Sequence, residues 1–284
     1  MDFWRTEYWR DYLLNNKIGA VFIDHSFYFG NKFVPLIQER GTCELFSPGF
    51  NDNKQILMKI RDIAEQHDIK RIEVNSQIKS YLNISGYTCI INPADINPSK
   101  GHKSAIKTSC KYLKYQSLTE TKQFMLDYFK IAGKVTRPEK TFEILRNWID
   151  LGFGTLLKAT YEEKTAGYTY ILHYGDYGYY FMSGTFPQYR KYNVGHYLQS
   201  VAFDILKDKG VVRYEIGDQA YNSLVLQPTE KEKNISLFKR EFGGNIEIKP
   251  KSEYFFDEAY FKQIMQERIN NYARSEIKQC EQLQ

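Results

Sequence analysis

The chain has 284 residues, 42% of them hydrophobic and 16% aromatic, which suits a folded protein with a sizeable core and excludes a disordered one. Its net charge of +5 is spread without a dense Lys/Arg tract. That favours anionic small ligands and falls short of a dedicated nucleic-acid footprint. Cys43, Cys89, Cys110 and Cys280 are far apart with no C-x-x-C, and the five histidines show no metal spacing, so free thiols in a reducing compartment and no metal are expected. Charges crowd the opening Met1-Asp-Phe-Trp-Arg-Thr-Glu, and no apolar run reaches about 18 residues. The expected setting is therefore cytoplasmic, without a membrane span.

In chain order, residues 3–14 read as a short amphipathic helix anchored by Phe3, Trp4, Tyr8 and Leu13. Strands are expected at 18–23 and 26–37 around an Asp24-His-Ser turn, then a helix at 51–67 and a strand at 71–74. A brief helix at 77–82 and a strand at 87–91 complete a small α/β unit. Asn92-Pro-Ala-Asp-Ile-Asn-Pro98 breaks both kinds of regular structure and marks a boundary. Residues 99–113 read as a basic helix. Its lysines at 100, 103, 107, 111 and 114 form a stripe that is either a solvated face or a contact for an anionic partner.

Helices at 119–132 and 141–151 are followed by strands at 153–161, 166–174 and 177–185, joined by turns short enough for antiparallel hairpins. Val194, Tyr197, Leu198, Val201, Ala202, Ile205 and Leu206 then recur at helical spacing and close on Lys209-Gly210. A strand at 211–216, a helix at 229–242 opened by Thr229-x-x-Glu232, a strand at 245–248 and a helix at about 257–280 end the chain.

Between the third meander strand and the following helix stands Arg190-Lys-Tyr-Asn193-Val194-Gly195-His196. A strand, a short loop and a helix N-terminus leave backbone N–H groups aimed outward at the positive end of the helix dipole, a seat for an anion such as pyrophosphate. An ordinary strand-to-helix turn gives the same local pattern. The loop resembles the acyl-CoA loop of the GNAT acyltransferases, Gln/Arg-x-x-Gly-x-Gly/Ala. Asn193 replaces the first glycine and tolerates positive φ better than most residues.

Four further motifs carry a more specific resemblance. Ala132-Gly-Lys-Val-Thr136-Arg137-Pro138, Gly195-His196, Tyr214-Glu215-Ile216-Gly217 and Phe238-Lys239-Arg-x-Phe-Gly243-Gly244 stand in the order of the Fem-like branch of the GNAT superfamily. The motifs cover about residues 100–250; the first hundred match by architecture. The resemblance implies an α/β (α+β) protein of two tandem GNAT-like domains, each a central mixed, mostly antiparallel sheet flanked by helices. Residues 1–98 would form the N-terminal domain and 99–284 the acyltransferase domain with a C-terminal helix. It implies acyl transfer, most simply from acetyl-CoA or another acyl-CoA to an amino group of a sugar or cell-envelope precursor. An aminoacyl-tRNA donor, as in true Fem enzymes, and a non-catalytic GNAT-like binding module are the alternatives.

Moving an acyl group from a thioester to an amine requires loss of an amine proton, stabilisation of an oxyanion and protonation of the leaving thiolate. Strand alternation sets Glu215 opposite Tyr214 near a strand end, as candidate base; an ion pair with Arg213 or Lys239 is the other reading. Lys239, at the edge of the Ile235/Phe238/Phe242 stripe, matches the Fem lysine that the resemblance implies stabilises developing negative charge; a snorkelling surface lysine is the alternative. His196, in the first helical turn, would be held neutral by the dipole, as a substrate donor or base, or would merely pack. Tyr221 is a candidate acid for the thiolate. Arg190, Asn193, Val194, Gly195 and Ser183, the last near the end of the third meander strand, are the candidate donor-binding residues. Thr136, Arg137 and Lys103 are candidates for an anionic small-molecule or nucleotide-linked acceptor, Arg137 because its guanidinium binds carboxylate or phosphate bidentately.

Overall fold

The computed structural model describes residues 82–223 and 227–282 continuously, with residues 8, 11, 12, 19–23, 26–30, 42–45, 62 and 70–74. By internal contacts the chain divides into two compact units, Thr88–Gly217 with Leu237–Glu247, and Asp2–Tyr87 with Asp218–Ser236 and Ile248–Gln284. It therefore crosses between units at 87–88, 217–218, 236–237 and 247–248.

In the second of these units, β1 (Gly19–Ile23) and β2 (Ser26–Gly30) form an antiparallel pair that begins Ile23↔Ser26, so Ser26 is strand rather than turn. A strand not anticipated from the sequence, β3 (Thr42–Leu45), pairs in parallel with β4 (Arg71–Val74), and β4 pairs antiparallel with β11 (Asn245–Phe255). Glu253, 3% exposed, is satisfied there by Arg268 at 2.7 Å through both guanidinium amino groups and by Arg71 at 3.3 Å. The C-terminal helix runs Glu258–Gln282. Most of the helices expected at 3–14 and 51–67, residues 77–81 and strand residues 31–37 lie outside the described residues. Leu82 itself opens β5 (Leu82–Ile91), five residues ahead of the expected strand.

The first unit carries the motifs. Its strands follow the order β5, β10 (Arg213–Asp218), β9 (Tyr177–Thr185), β8 (Lys164–Tyr174), β7 (Gly154–Tyr161), β6 (Leu113–Leu118). Neighbours from β6 to β9 are antiparallel, whereas β9 and β10 are parallel. The β7–β8 hairpin closes on Glu162 and Glu163, both at positive φ (47° and 62°), the geometry of a type I′ turn whose twist suits the strands. In β9, Tyr170 of β8 pairs with Met182 and Ile171 with Tyr180, so Phe181 is an extra residue, a β-bulge.

Helix α1 (Lys100–Ser109) stops four residues short of the expected end at 113, and Leu113 opens β6, a strand the sequence reading left unassigned. Lys111 therefore falls in a turn and Lys114 on a strand, and the continuous lysine stripe does not form. A strand there is reasonable: Leu113-Lys-Tyr-Gln-Ser-Leu118 pairs along its whole length with β7 and needs only Leu113 deeply buried.

Helices α2 (Lys122–Ala132) and α3 (Glu139–Asp150) cover one face of the sheet. Phe124 meets Tyr168 and Phe142 at 5.2 and 5.6 Å, and Trp148 meets Phe181 at 5.8 Å. Tyr168 and Tyr170 are fully buried yet paired, donating to Asp127 Oδ2 (2.7 Å) and the Leu145 carbonyl (2.8 Å). Burial and that carboxylate push the Tyr168 phenol up, so both groups act as neutral donors. Helix α4 (Val194–Asp208) covers the other face: Val194, Leu198, Val201, Ala202 and Leu206 join Leu157, Ala159 and Ile171 in the core. Each such aliphatic side chain contributes about 1.5–3 kcal/mol on burial, except the smaller alanines. Helix α5 spans Glu230–Arg240. Its start has the reciprocal bonding expected of Thr229-x-x-Glu232, with Thr229 N–H to Glu232 Oε2 at 2.7 Å and Glu232 N–H to Thr229 Oγ1 at 3.3 Å. This is a mixed α/β fold with a mostly antiparallel sheet flanked by helices.

Candidate functional site

The start of α4 is reached through a short 3-10 helix, Pro187–Tyr192, which the sequence had not suggested. Asn193 then turns the chain at φ 55°, ψ 42°, a left-handed conformation for which asparagine is well suited. Its N–H bonds the Arg190 carbonyl at 3.1 Å, so Arg190 shapes the loop through its backbone while its side chain is exposed. No side chain caps α4. The first-turn N–H groups of Val194, Gly195 and His196 therefore remain for an external acceptor at the positive end of a fifteen-residue helix. Beside Gly195 there is room: an added Cβ would meet only Phe238, at 3.5 and 3.8 Å.

The ends of β8 and β9 lie against this turn. A Cβ on Gly167 would lie 2.6 Å from the Gly184 carbonyl and 2.9 Å from Val194 Cγ1, so the helix start presses onto the sheet where β9 ends. Ser183 is exposed on that strand and accepts from Tyr180 OH at 2.5 Å. Gly184 in turn faces Ile131 near the end of α2, which leads into the Gly133–Pro138 loop. That loop carries exposed Thr136 and half-buried Arg137, with Pro138 at the N-cap of α3.

Strands β9 and β10 pair over only three residues, the last pair being Glu215↔Tyr179, and the bulge follows two residues later in β9. Beyond it the parallel strands part. Glu215, 8% exposed, accepts hydrogen bonds from Thr88 Oγ1 at 2.8 Å and Tyr177 OH at 2.5 Å, one on each carboxylate oxygen. The neighbouring Arg213 is held elsewhere, in a bidentate pair with Glu247 at 2.8 and 2.6 Å.

Lys239 comes from the last turn of α5. A Cβ on Gly217 would lie 2.7 Å from its Nζ, so the ammonium rests against the end of β10, two residues beyond Glu215. The flanking aromatics do not follow it. Phe238 and Phe242 turn towards His196 and His102, with ring centroids 5.0 Å apart for His196–Phe238 and 4.6 Å for His102–Phe242. Burial, and then the adjacent His102, push the His196 imidazole down to about 4. Its surroundings therefore favour the neutral ring. The glycines that close the motif have a packing reason. Gly243 has φ +91°, and a Cβ on it would lie 2.3 Å from the Asn97 carbonyl. One on Gly244 would lie 2.4 Å from Ile91 Cγ1. Cys89, also against Gly244, is fully buried with its thiol pushed up to about 11 by burial, so it is no nucleophile.

The first unit thus brings together Ser183, Asn193, Val194 and Gly195 at one turn, and Lys239 with Glu215 along the end of β10. His196 joins the two through Phe238. Lys103 is on α1, its Nζ donating to Asn97 Oδ1 at 3.2 Å. Tyr221 belongs to the other unit, where its hydroxyl donates to the Ser85 carbonyl and its ring stands 4.9 Å from Tyr87. Sequence reasoning missed His102: it lies in no motif, and its role depends on a helix end more than a hundred residues away. Among the described residues there is no cluster of three or more His, Cys, Asp or Glu that could hold a metal ion. Nor is any described helix long and apolar enough to cross a membrane.

Comparison with known proteins agrees with this geometry. Residues 133–222 match the family model of the acetyltransferase (GNAT) domain. The fold is similar to that of FemX, with TM-score 0.63, 14% identity and coverage of 93% of this chain and 94% of that one. It is similar to L-PGS from Bacillus licheniformis, with TM-score 0.64, 8% identity and coverage of 90% and 94%. A tandem GNAT protein from the clavulanic acid biosynthesis pathway gives TM-score 0.51 at 11% identity, over 81% and 78% of the two chains. No curated protein matches the sequence. Residues 133–222 thus match the GNAT acetyltransferase domain, and the chain has a fold similar to that of FemX.

Proposed function

We propose that the protein is an N-acyltransferase that moves an acyl group from acyl-CoA, most simply acetyl-CoA, to an amino group of a sugar or cell-envelope precursor. The observation that carries this reading is the uncapped start of α4, set where β9 and β10 part and within one aromatic layer of Lys239. Pyrophosphate oxygens would accept from the N–H groups of Val194, Gly195 and His196. The pantetheine arm would run between the parted strands, past Ser183.

The acceptor nitrogen attacks the thioester carbonyl, the carbonyl electron pair becomes an oxyanion, and collapse of that intermediate expels the CoA thiolate. Lys239 stabilises the oxyanion electrostatically. Glu215 takes the amine proton through a water, its carboxylate held in place by the hydrogen bonds it accepts from Thr88 and Tyr177. The Thr136–Arg137 loop, which follows the helix packed on Gly184, takes an anionic group of the acceptor. Tyr221 is given no part, because its hydroxyl proton is committed to a carbonyl.

An aminoacyl-tRNA donor is the second reading, favoured by the likeness to FemX over nearly the whole chain. Calorimetry with acetyl-CoA, beside melting curves, separates the two. Acetyl-CoA is expected to bind and to raise the melting temperature, since a ligand of the folded state stabilises it by mass action. Gly195→Glu, which sets a carboxylate in the anion seat, is expected to abolish both effects. A wild-type protein indifferent to millimolar acetyl-CoA would overturn the CoA reading.

A further inference from the structure

His102 sits at the third position of α1, buried at 5% exposure, with its backbone N–H bonded to the N-cap Ser99 Oγ at 3.2 Å. Its ring reaches the far end of α5. Nε2 lies 2.9 Å from the Phe238 carbonyl and Nδ1 lies 2.9 Å from Glu241 Oε2. A carbonyl can only accept, and so can a carboxylate. Both ring nitrogens must then carry a proton.

The carbonyl that His102 takes is a particular one. At the end of α5, Glu241 N–H bonds Leu237 O, Phe242 N–H bonds Lys239 O and Gly243 N–H bonds Arg240 O, at 3.0, 3.4 and 3.0 Å. The backbone skips Phe238 O. A cation in that position satisfies the leftover acceptor and sits at the negative end of the helix dipole. Ser99 N–H adds a bond to Glu241 O at 2.8 Å and Ser99 Oγ one to Glu241 Oε2 at 3.5 Å, so the start of α1 is tied to this one turn by four separate bonds. Lys239 projects from that turn, immediately after Phe238. The imidazolium is also 4.4 Å, centroid to centroid, from the His196 ring, consistent with that ring remaining neutral.

We infer that His102 is a positioning residue: as an imidazolium clamped between the Phe238 carbonyl and the Glu241 carboxylate, it fixes the last turn of α5 and so holds the Lys239 ammonium at the end of β10. This rests on the proposed role of Lys239 for its consequence in the reaction, but its geometry can be tested without turnover. In protein labelled with ¹⁵N-lysine, the Nζ resonance of Lys239, assigned by its loss in Lys239→Arg, is expected to stand apart from those of exposed lysines. In His102→Gln, which cannot donate to both acceptors in the same way, it is expected to move to the exposed-lysine position while signals from lysines on α2 and the C-terminal helix stay in place. Glu241→Gln, at a half-exposed site that tolerates substitution, is expected to give an intermediate shift, and decides alone if His102→Gln does not fold. A Lys239 resonance unmoved in the folded variants overturns the inference. Added acetyl-CoA should shift the same resonance in wild type. Failure of that shift, with the His102 effect intact, removes the donor reading and leaves the clamp standing.

Discussion

Two helix ends meet in the first unit and are finished in opposite ways. At the end of α5 every carbonyl of the last turn has a partner: three are taken by downstream amides and the fourth by His102. At the start of α4 the chain swings through Asn193 with no side-chain cap, and three N–H groups are left over. Both ends lie in motifs, and both contain glycine. Yet the Gly243-Gly244 pair is fixed by close backbone approach, whereas Gly195 has only a phenylalanine edge near it. A motif residue is thus structural where its neighbours leave no alternative, and points to a ligand where the protein leaves its polar groups unanswered.

That contrast can be broken at several points. The largest effect is expected at the functional face of the satisfied end: Lys239→Met and Glu215→Gln should reduce acyl transfer roughly 10²–10³-fold in single-turnover measurements with CoA affinity nearly unchanged. Loss of Glu215 should flatten the acidic limb of the rate profile, and loss of Lys239 should lower the whole curve. Early unfolding of either variant with normal rates would instead mark a structural ion pair. Next comes Gly244→Ala, whose methyl would collide with Ile91, Cys89 and the Ile90 carbonyl. It should cost about 1–3 kcal/mol in denaturant unfolding. A stability within error of wild type would show that this end yields more easily than its packing implies.

A third effect is pH dependence. Burial pushes both His173 and His196 down from 6.5 to about 4, helped by Lys209 and His102 respectively. The unfolded chain therefore binds protons at a pH where the folded one does not. Stability is fully present above about 6.5 and falls as the pH drops towards 4. His173→Gln should shallow that fall in melting curves recorded across the range; an unchanged slope would mean that other groups govern it. The smallest effect on stability is expected for Gly195→Ala, within about 0.5 kcal/mol of wild type. Acetyl-CoA affinity should nevertheless drop, because the methyl crowds the N–H face of the turn.

Much of this unit was legible in the sequence because its signals are local. The meander declared itself by aromatic alternation and two-residue turns, α4 by its apolar spacing, and the start of α5 by Thr229 and Glu232. The Asn193 turn followed from what asparagine tolerates. The misreadings arose where pairing across the sheet overrides local preference. Lys111 and Lys114 continue a helical pattern in sequence, but Lys111 falls in a turn and Lys114 pairs with β7 in space, so the expected stripe is broken. The edge strand β3 is too short to show a period. At the site, Glu215 could be set near a strand end by alternation, and Lys239 at the edge of an apolar stripe by helical spacing. Their partners Thr88, Tyr177 and His102 could not, because each is brought in by an element whose register no local pattern encodes.

The extra residue in β9 has a consequence of phase. Up to Tyr180 the strand alternates so that even-numbered side chains share the α4 face, as the Ile171↔Tyr180 pairing requires. After Phe181 the parity inverts: Met182 pairs with Tyr170 on the opposite face, and Ser183 pairs with Thr169 on the α4 side. One inserted residue therefore hands the Ser183 hydroxyl to the face where the helix start lies open, and turns Met182 into the aromatic layer under α2 and α3. Paired regularly, with Phe181 opposite Tyr170 and no bulge, the same sequence would exchange those two side chains, a polar group for an apolar one on each side, without altering any residue of either helix.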